Sequence, residues 1–540
     1  MRDEYRKTIK EVSEKASESS EITSSALRAS SQRRLCNRYL IGVIRDFWVF
    51  LEISKRIMKL KELLKNVEVK SVYGNQEIDI SGIAYDSRKV KEGYLFVCIQ
   101  GEKLDGHRFS YEAVQRGAVA VLGEKEIEGK TDLVRIIVLN ARVALARISA
   151  NFYQNPSLKL KVVGVGGTDG KTTTTYLIES ILKRAGFEVG VIGTINYRWG
   201  GRVLPAGLTS PESLDLQRML SEMVAVNCKY AVLEVSSHAV SQYRAWATKF
   251  DIGVFTNFGR DHLDYHKTLS RYLEAETRLI RSLENDKLAL INIDDRYGRR
   301  LCRQTSARVI TYGTRRGAQI RASNINSTLS GLSFHVTTKS TSFDIQMKLI
   351  GKVNIYNALP AIGVGIEEGL DISLICDALR RAEPVPGRFQ IIDEGQDFKV
   401  MVDFAHTPQA FLALLQMARK MTKGNVIVVF GAAGERDRGK RPLIGRIASR
   451  YSNYSILTSD NPYGEDQVQI LEDIKSGFRG RRYSVVIDRF SAIKEGLSRA
   501  QSDDMVIIAG RGHEGYQIFG DRVVVFNDCD VVRQLLKGEK

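Results

Sequence analysis

The stretch from Leu160 to Arg184 constrains this chain more than any other. A short apolar run, Leu160-Lys-Val-Val-Gly-Val, leads into Gly164-Val-Gly-Gly-Thr-Asp-Gly-Lys-Thr-Thr-Thr-Thr, and a helical pattern follows from Tyr176 to Arg184. A buried strand that turns through glycines into a helix belongs to a parallel sheet with crossover helices. The same alternation returns at Tyr230-Ala-Val-Leu-Glu-Val and Ile252-Gly-Val-Phe-Thr-Asn. A second α/β block begins near Phe389, with strands expected at Lys399-Val-Met-Val-Asp, Val426-Ile-Val-Val-Phe, Tyr454-Ser-Ile-Leu-Thr and Met505-Val-Ile-Ile-Ala. Each ends in polar or glycine-rich residues, and open α/β sheets gather ligands at the carboxyl ends of their strands. Ahead of the loop, Leu95-Phe-Val-Cys-Ile and Ala118-Val-Ala-Val-Leu read as buried strands, and residues 315–350 read as a hairpin insertion.

At 540 residues the chain exceeds one compact core. The divisions expected are a polar extension (1–57), a small α/β domain (58–155), a central α/β domain holding the glycine loop (156–388) and a last α/β domain (389–540). The extension is Ser-rich and reads as poorly ordered or partly helical. It lacks the clean apolar stretch of a secretory signal, and Glu11, Glu14, Glu18 and Glu21 argue against an organelle transit peptide. Met58 is an alternative start of translation. No apolar run reaches the roughly 20 residues of a membrane span; Tyr39 to Leu51 carries Arg45 and Asp46 and reads as a buried or surface helix. The net charge of +17 comes with no nucleic-acid-binding motif. It is read as a solvated Lys/Arg surface, with steering of small anions or weak contact with an acidic membrane face as the other readings. The six cysteines show neither CxxC pairing nor His at zinc-ligand spacing, which fits reduced thiols in the cytoplasm.

The glycine loop is a phosphate site in chemical terms. Backbone N–H groups of Gly167, Thr168, Asp169 and Gly170 can approach phosphate oxygens, and the helix N-terminus adds positive potential. Lys171 would meet the β- and γ-phosphates, Thr172 would offer a hydroxyl to Mg²⁺, and Thr173 continues the loop. The strict Walker spacing fails, because Val165 stands where its first glycine belongs. Glu234 ends one strand and His262 follows the next, so both can face the loop. An acid and an imidazole there suit Mg²⁺ beside ATP, with Thr172, Glu234 and His262 as the metal set. Taken singly, each is as readily a satisfied core or turn residue.

Further segments carry a resemblance. Leu208-Thr-Ser-Pro-Glu-Ser, Glu234-Val-Ser-Ser-His, Phe255-Thr-Asn-Phe-Gly-Arg-Asp-His-Leu-Asp-Tyr-His, Pro386-Gly-Arg-Phe, Val402-Asp-Phe-Ala-His-Thr-Pro and Ala509-Gly-Arg-Gly-His-Glu stand in the order found in Mur ligases. From about Met58 to the C-terminus the chain resembles that family, and within it the UDP-N-acetylmuramoyl-tripeptide synthetases. The resemblance implies a three-domain α/β architecture with a central P-loop ATPase domain. It implies an ADP-forming ligase that adds a diamino acid to UDP-N-acetylmuramoyl-L-alanyl-D-glutamate through an acyl phosphate, working as a monomer. It places Asn357 and Arg388 by the nucleotide and Asp403 with His406 in the hinge-side motif. Lys171, Glu234, His262, Arg388 and Asp403 form the catalytic set. Ser87 and the turn Gly101-Glu-Lys-Leu-Asp-Gly match the part that holds the uridine nucleotide. Thr209, Ser210, Ser236, Gln242 and Arg244 match those that hold the muramoyl dipeptide, Arg244 offering a fork to a carboxylate. Arg436, Asp460, Asn461, Pro462, Tyr463, Gly510 and Glu514 match the amino-acid site.

Three departures from the family pattern stand out. Asp169 replaces the usual Asn, so its acid must point away from phosphates or be offset by metal. Glu276 stands where the family has a carbamate-bearing lysine; it keeps the charge but is shorter by about 3 Å, and the expectation is that it serves in the carbamate's place without bicarbonate. Tyr463 replaces an arginine that binds the distal carboxylate of diaminopimelate, which favours lysine or ornithine unless another arginine such as Arg511 substitutes. The rival readings are a non-catalytic scaffold of the same descent, a folylpolyglutamate- or cyanophycin-type ligase, and a nucleic-acid-dependent ATPase, which lacks any helicase-like motif set.

Overall fold

A computed structural model describes residues 56–101, 104–127 and 133–538. The extension and the Tyr39–Leu51 segment lie outside the described residues. Three main sheets follow one another along the chain. The first has five strands in the order Val69–Tyr73, Val134–Val138, Ala118–Gly123, Tyr94–Val97, Gly82–Ala84, parallel except for its first strand.

The central sheet has eleven strands. Its parallel heart runs Val189–Ile192, Tyr230–Glu234, Lys161–Gly166, Ile252–Phe255, Leu288–Asn292, Arg308–Gly313. These strands are apolar throughout because helices cover both faces, the pattern of a buried parallel sheet. The helices Lys171–Arg184 and Val353–Glu367 share one core with Val163, Val165, Val232 and Leu290. The expected hairpin insertion is a three-stranded antiparallel extension of this sheet, Ile320–Thr328, Gly331–Thr337 and Ser342–Met347. Its alternating burial is that of a sheet with one wet face.

The last sheet orders six strands Gln390–Ile392, Lys399–Asp403, Met505–Ala509, Val426–Phe430, Tyr454–Leu457, Tyr483–Val485. All are parallel but the first. The carboxyl ends of its middle strands release Asp403, Gly510, Gly431 and Asp460 along one edge. Among the described residues no helix is long and apolar enough to cross a membrane.

Candidate functional site

The strand Lys161–Gly166 lies between Tyr230–Glu234 and Ile252–Phe255, with Glu234 beside Val165 and Phe255 beside Gly166. The register brings the acid, the glycine loop and the approach to His262 to one place. Gly167 has φ +113°, and a Cβ there would lie 2.2 Å from Thr256 Oγ1; at Gly170, φ +87°, a Cβ would lie 2.3 Å from Asn357 Oδ1. Both close approaches require glycine. The helix begins at Lys171 rather than at Tyr176. Its four threonines looked like loop by propensity but are buried, and packing overrides that preference. Lys171 Nζ donates to the carbonyls of Gly167 (2.6 Å) and Thr168 (2.8 Å).

Glu234 is 2% exposed. Its carboxylate accepts from Thr172 Oγ1 (2.9 Å), Thr194 N (2.9 Å) and Thr194 Oγ1 (2.9 Å). Arg388 reaches the same hydroxyl from beyond the central sheet, Nη2 donating to Thr172 Oγ1 at 3.4 Å, while its Nε has no partner. His262 sits at φ +52° with Asp261 3.5 Å away. Burial outweighs that acid and holds the imidazole down to about 3, so it is neutral with a lone pair to give. Among the described residues no cluster of three or more His, Cys, Asp or Glu forms a metal cage. Glu234, Thr172 and His262 are a mixed donor set of a kind that suits Mg²⁺, which takes few protein ligands and keeps water and phosphate.

The residues expected around the dipeptide gather at Glu234. Thr209 and Thr194 hydroxyls are 3.2 Å apart, Ser210 Oγ donates to the Glu234 carbonyl (2.7 Å), and Ser236 N donates to Ser210 Oγ (3.2 Å). Arg244 donates from Nε to Glu212 (3.1 Å), from Nη1 to the Ser210 carbonyl (3.1 Å) and from Nη2 to Gln242 (2.6 Å). Its fork is turned to protein groups and ties the Ser210 turn in place. Ser87 is buried and donates to Glu112 (3.0 Å). In the turn after it, Glu102 and Lys103 lie outside the described residues.

A cavity of about 330 Å³ opens beside the loop, lined by Asp169, Gly170, Asn357, Arg388, Asp403 and His406, and also by Asn292, Asp294 and Tyr356. Asp169 turns its acid to Thr407, whose Oγ1 donates to both oxygens at 3.2 Å. Asn357 donates to Asn354 (2.8 Å). Both oxygens of Asp403 are taken by backbone amides, Phe389 N (2.7 Å) and Ala405 N (2.7 Å), so it clamps the hinge after Arg388. The sequence reading gave no role to Asn257, whose side chain exchanges two 3.0 Å hydrogen bonds with the backbone of Asp169. It also missed Asn292, Asp294 and Tyr356. Asn292 and Asp294 close the next parallel strand, Leu288–Asn292, and polar residues at its carboxyl end were the available signal.

On the last sheet, Asn461 Nδ2 donates to Glu514 (2.8 Å), and Gly510 (φ +108°) runs past Asp460. Pro462 turns the chain, its carbonyl accepting from Glu465 N at 3.0 Å. Burial and the nearby Asp460 push Glu514 up to about 7, although Arg511 opposes them. Arg436 sits 5.4 Å over the Tyr463 ring and 3.8 Å from Asp264 of the central part. Arg511 does not fit the substitute role expected of it. It is fully buried and donates to Asn461 (2.8 Å) and to the carbonyls of Tyr516 (2.7 Å) and Phe526 (3.3 Å). Glu276 is buried beneath the glycine loop and accepts from Gly167 N at 2.8 Å. Its carboxylate is committed to the loop backbone, a contact the sequence did not suggest.

Three family models match the chain: Mur ligase family, catalytic domain (residues 79–153), Mur ligase middle domain (165–365) and Mur ligase, glutamate ligase domain (387–512). The chain is 41% identical over 481 residues to the UDP-N-acetylmuramoyl-L-alanyl-D-glutamate–2,6-diaminopimelate ligase of Caldanaerobacter subterraneus subsp. tengcongensis, covering 89% of this chain and 99% of the relative. It is 42% identical over 487 residues to the ligase of the same name from Syntrophomonas wolfei, covering 89% and 100%. A solved structure of a ligase of that name superposes with TM-score 0.63 at 30% identity, over 89% of this chain and 99% of that one. A Mycobacterium tuberculosis folylpolyglutamate synthase shares the fold alone, at TM-score 0.56 and 14% identity over 68% of this chain and 92% of that one. The two curated relatives and the first solved structure carry diaminopimelate in their names, against the preference for lysine or ornithine read from Tyr463.

Proposed function

This chain belongs to the Mur ligase family, and from that premise we propose that it joins 2,6-diaminopimelate to UDP-N-acetylmuramoyl-L-alanyl-D-glutamate at the expense of ATP. The observation that carries the reading is the convergence of Lys171, Thr172, Glu234 and Arg388 at the carboxyl end of three parallel strands. The side-chain carboxylate of D-glutamate attacks the γ-phosphorus, the bond to the β-phosphate oxygen breaks, and ADP leaves. The amine of the incoming amino acid then adds to the acyl carbon and displaces phosphate. Lys171 and the loop amides hold the β- and γ-phosphates. Arg388, with an unspent donor, neutralises charge from the far side. Thr172, Glu234 and His262 would hold Mg²⁺, which supplies charge neutralisation at the phosphates when bound. Asn461 and Glu514 orient the incoming amine, and Glu514 in its ionised form is suited to an ammonium.

The second carboxylate of diaminopimelate falls to Arg436, half-exposed on the Tyr463 ring, since Arg511 is buried and committed elsewhere. We place the enzyme in the cytoplasm, where its nucleotide substrates are made, as a monomer. The deciding experiment is phosphate release with ATP, Mg²⁺ and the UDP-linked dipeptide, run separately with diaminopimelate, lysine and ornithine, with mass detection of product. A product with diaminopimelate alone is expected. A lysine or ornithine product would restore the reading drawn from Tyr463, and no product with any of the three would remove the assignment.

A further inference from the structure

A second cavity, of about 280 Å³, lies away from the glycine loop, between the segment that precedes the strand Ile252–Phe255 and the end of the helix Leu269–Arg281, with Arg147 of the helix Ala141–Phe152 at its edge. Ala146 and Ala150 of the helix Ala141–Phe152 pack on Ala247 of the segment, which also lines the cavity. One wall is apolar and aromatic (Val240, Tyr243, Trp246, Phe250 and Leu279), while Thr248, Ser282 and Glu284 add polar groups elsewhere in the lining. Tyr243 and Trp246 meet edge to face, centroids 5.5 Å apart, and Trp246 is 51% exposed. Large aromatic area left open beside a cavity is the composition of a small-molecule site rather than of a core.

The cations at its edge are not equivalent. Lys249 pairs with Glu284, Lys287 with Asp251 (3.0 Å) and Arg278 with Glu274 (3.4 Å). Arg147 lines the cavity from the helix and has no ion-pair or side-chain hydrogen-bond partner among the described residues. A half-buried guanidinium next to aromatic walls asks for a carboxylate on an apolar, flat body.

The segment has two faces. Arg244 donates to Gln242 and to the Ser210 carbonyl in the turn beside Glu234, and Gln242 Nε2 donates to Tyr265 at 3.4 Å. Tyr243, between them at φ +56°, turns the other way into the cavity. A tyrosine held in the left-handed region is strained, and such positions persist where the surroundings over-determine them. Whatever fills the cavity therefore meets the same segment whose Arg244 ties the Ser210 turn in place.

We propose that this cavity is a binding site for a small aromatic monocarboxylate, held by Arg147 against Tyr243 and Trp246, and that its occupancy alters how the Gln242–Arg244 segment receives the UDP-linked substrate. The second half rests on the reaction proposed above; the first does not. The probe is 2-naphthoate, titrated calorimetrically into the full chain, with neutral 2-naphthamide as control and the Arg147→Met, Arg147→Lys and Trp246→Ala variants alongside. Naphthoate binding is expected to weaken about tenfold or more in Arg147→Met and Trp246→Ala, to be largely kept in Arg147→Lys, and to exceed naphthamide binding by a similar factor. No binding, or equal binding by wild type and Arg147→Met at unchanged Tm, overturns the site. In turnover assays naphthoate should shift the KM for the UDP-linked dipeptide in wild type and not in Arg147→Met. Binding with no such shift in an active enzyme overturns the coupling and leaves the site. A chain inactive with every amino acid would fail the reaction while the calorimetry still decided the site.

Discussion

Glu514 and Glu276 show how one carboxylate's surroundings decide its use. Glu514 is pushed up to about 7 by burial and by Asp460, so near neutral pH it is part protonated and poorly disposed to an ammonium. Raising pH through 7 ionises it, so the KM for the amino acid should fall as pH rises from about 6 to 8. Steady-state kinetics across that range check this, and Glu514→Gln should flatten the dependence while raising KM throughout. Glu276 spends its carboxylate on Gly167 N–H. If that contact is its role, Glu276→Gln keeps an acceptor oxygen and most activity. Glu276→Ala leaves a buried amide unpaired, costs about 1–3 kcal/mol, and raises the KM for ATP. If Glu276 instead stands in for a carbamate at a metal, Glu276→Gln fails as badly as Glu276→Ala, and Glu276→Lys recovers with added bicarbonate.

At the scale of elements, the loop between the strand Lys161–Gly166 and the helix Lys171–Arg184 admits no side chain where it passes Thr256 and Asn357. Gly170→Ala would place a methyl 2.3 Å from Asn357 Oδ1 at φ +87°. Weaker nucleotide binding with a small loss of Tm is the expected outcome, measured by nucleotide titration and thermal unfolding, because strain is local and the core beneath is untouched. The last sheet carries a different device. Arg489 and Asp528 form a two-pronged pair at 2.8 Å and 2.8 Å, both fully buried, with Arg489 also donating to the carbonyls of Ser459 and Ala509. Arg489→Leu would leave Asp528 buried and unpaired, and denaturant unfolding should show a loss of about 3–5 kcal/mol.

Across the whole molecule, the central and last sheets meet through charges. Asp261 accepts from Lys440 Nζ (3.1 Å) and lies 3.3 Å from His406 Nε2; Arg260 grips Asp437 at 2.9 Å and 3.1 Å; Thr407 caps Asp169. Lys440 and Asp261 are each about 5% exposed. These contacts latch the last sheet onto the central one, and the expectation is that they part when substrates exchange. Lys440→Met should shift the molecule toward an open form, read as a larger radius of gyration by X-ray scattering and a lower kcat/KM, with little change in the unfolding of either part. A variant as compact as the wild type would remove the latch role.

The sequence by itself determined the alternation of strands and helices, the glycine loop between strand and helix, and the family. Those signals are local: apolar runs bounded by glycine, and motifs whose spacing is set by backbone geometry. For Asp169 the sequence left two outcomes, an acid turned away from phosphate or one offset by metal; the fold turns that acid to Thr407. Tertiary structure alone decided the rest. It started the loop helix at Lys171, because four buried threonines follow packing rather than propensity. It brought Asn257, Asn292, Asp294 and Tyr356 to the cavity beside the glycine loop from scattered strand ends and one helix. It turned Glu276 to Gly167, closed Arg511 inside the fold and gave Arg244 to Ser210. A side chain's partner depends on which distant backbone comes within about 3 Å of it, and that distance is fixed only when the sheets have stacked.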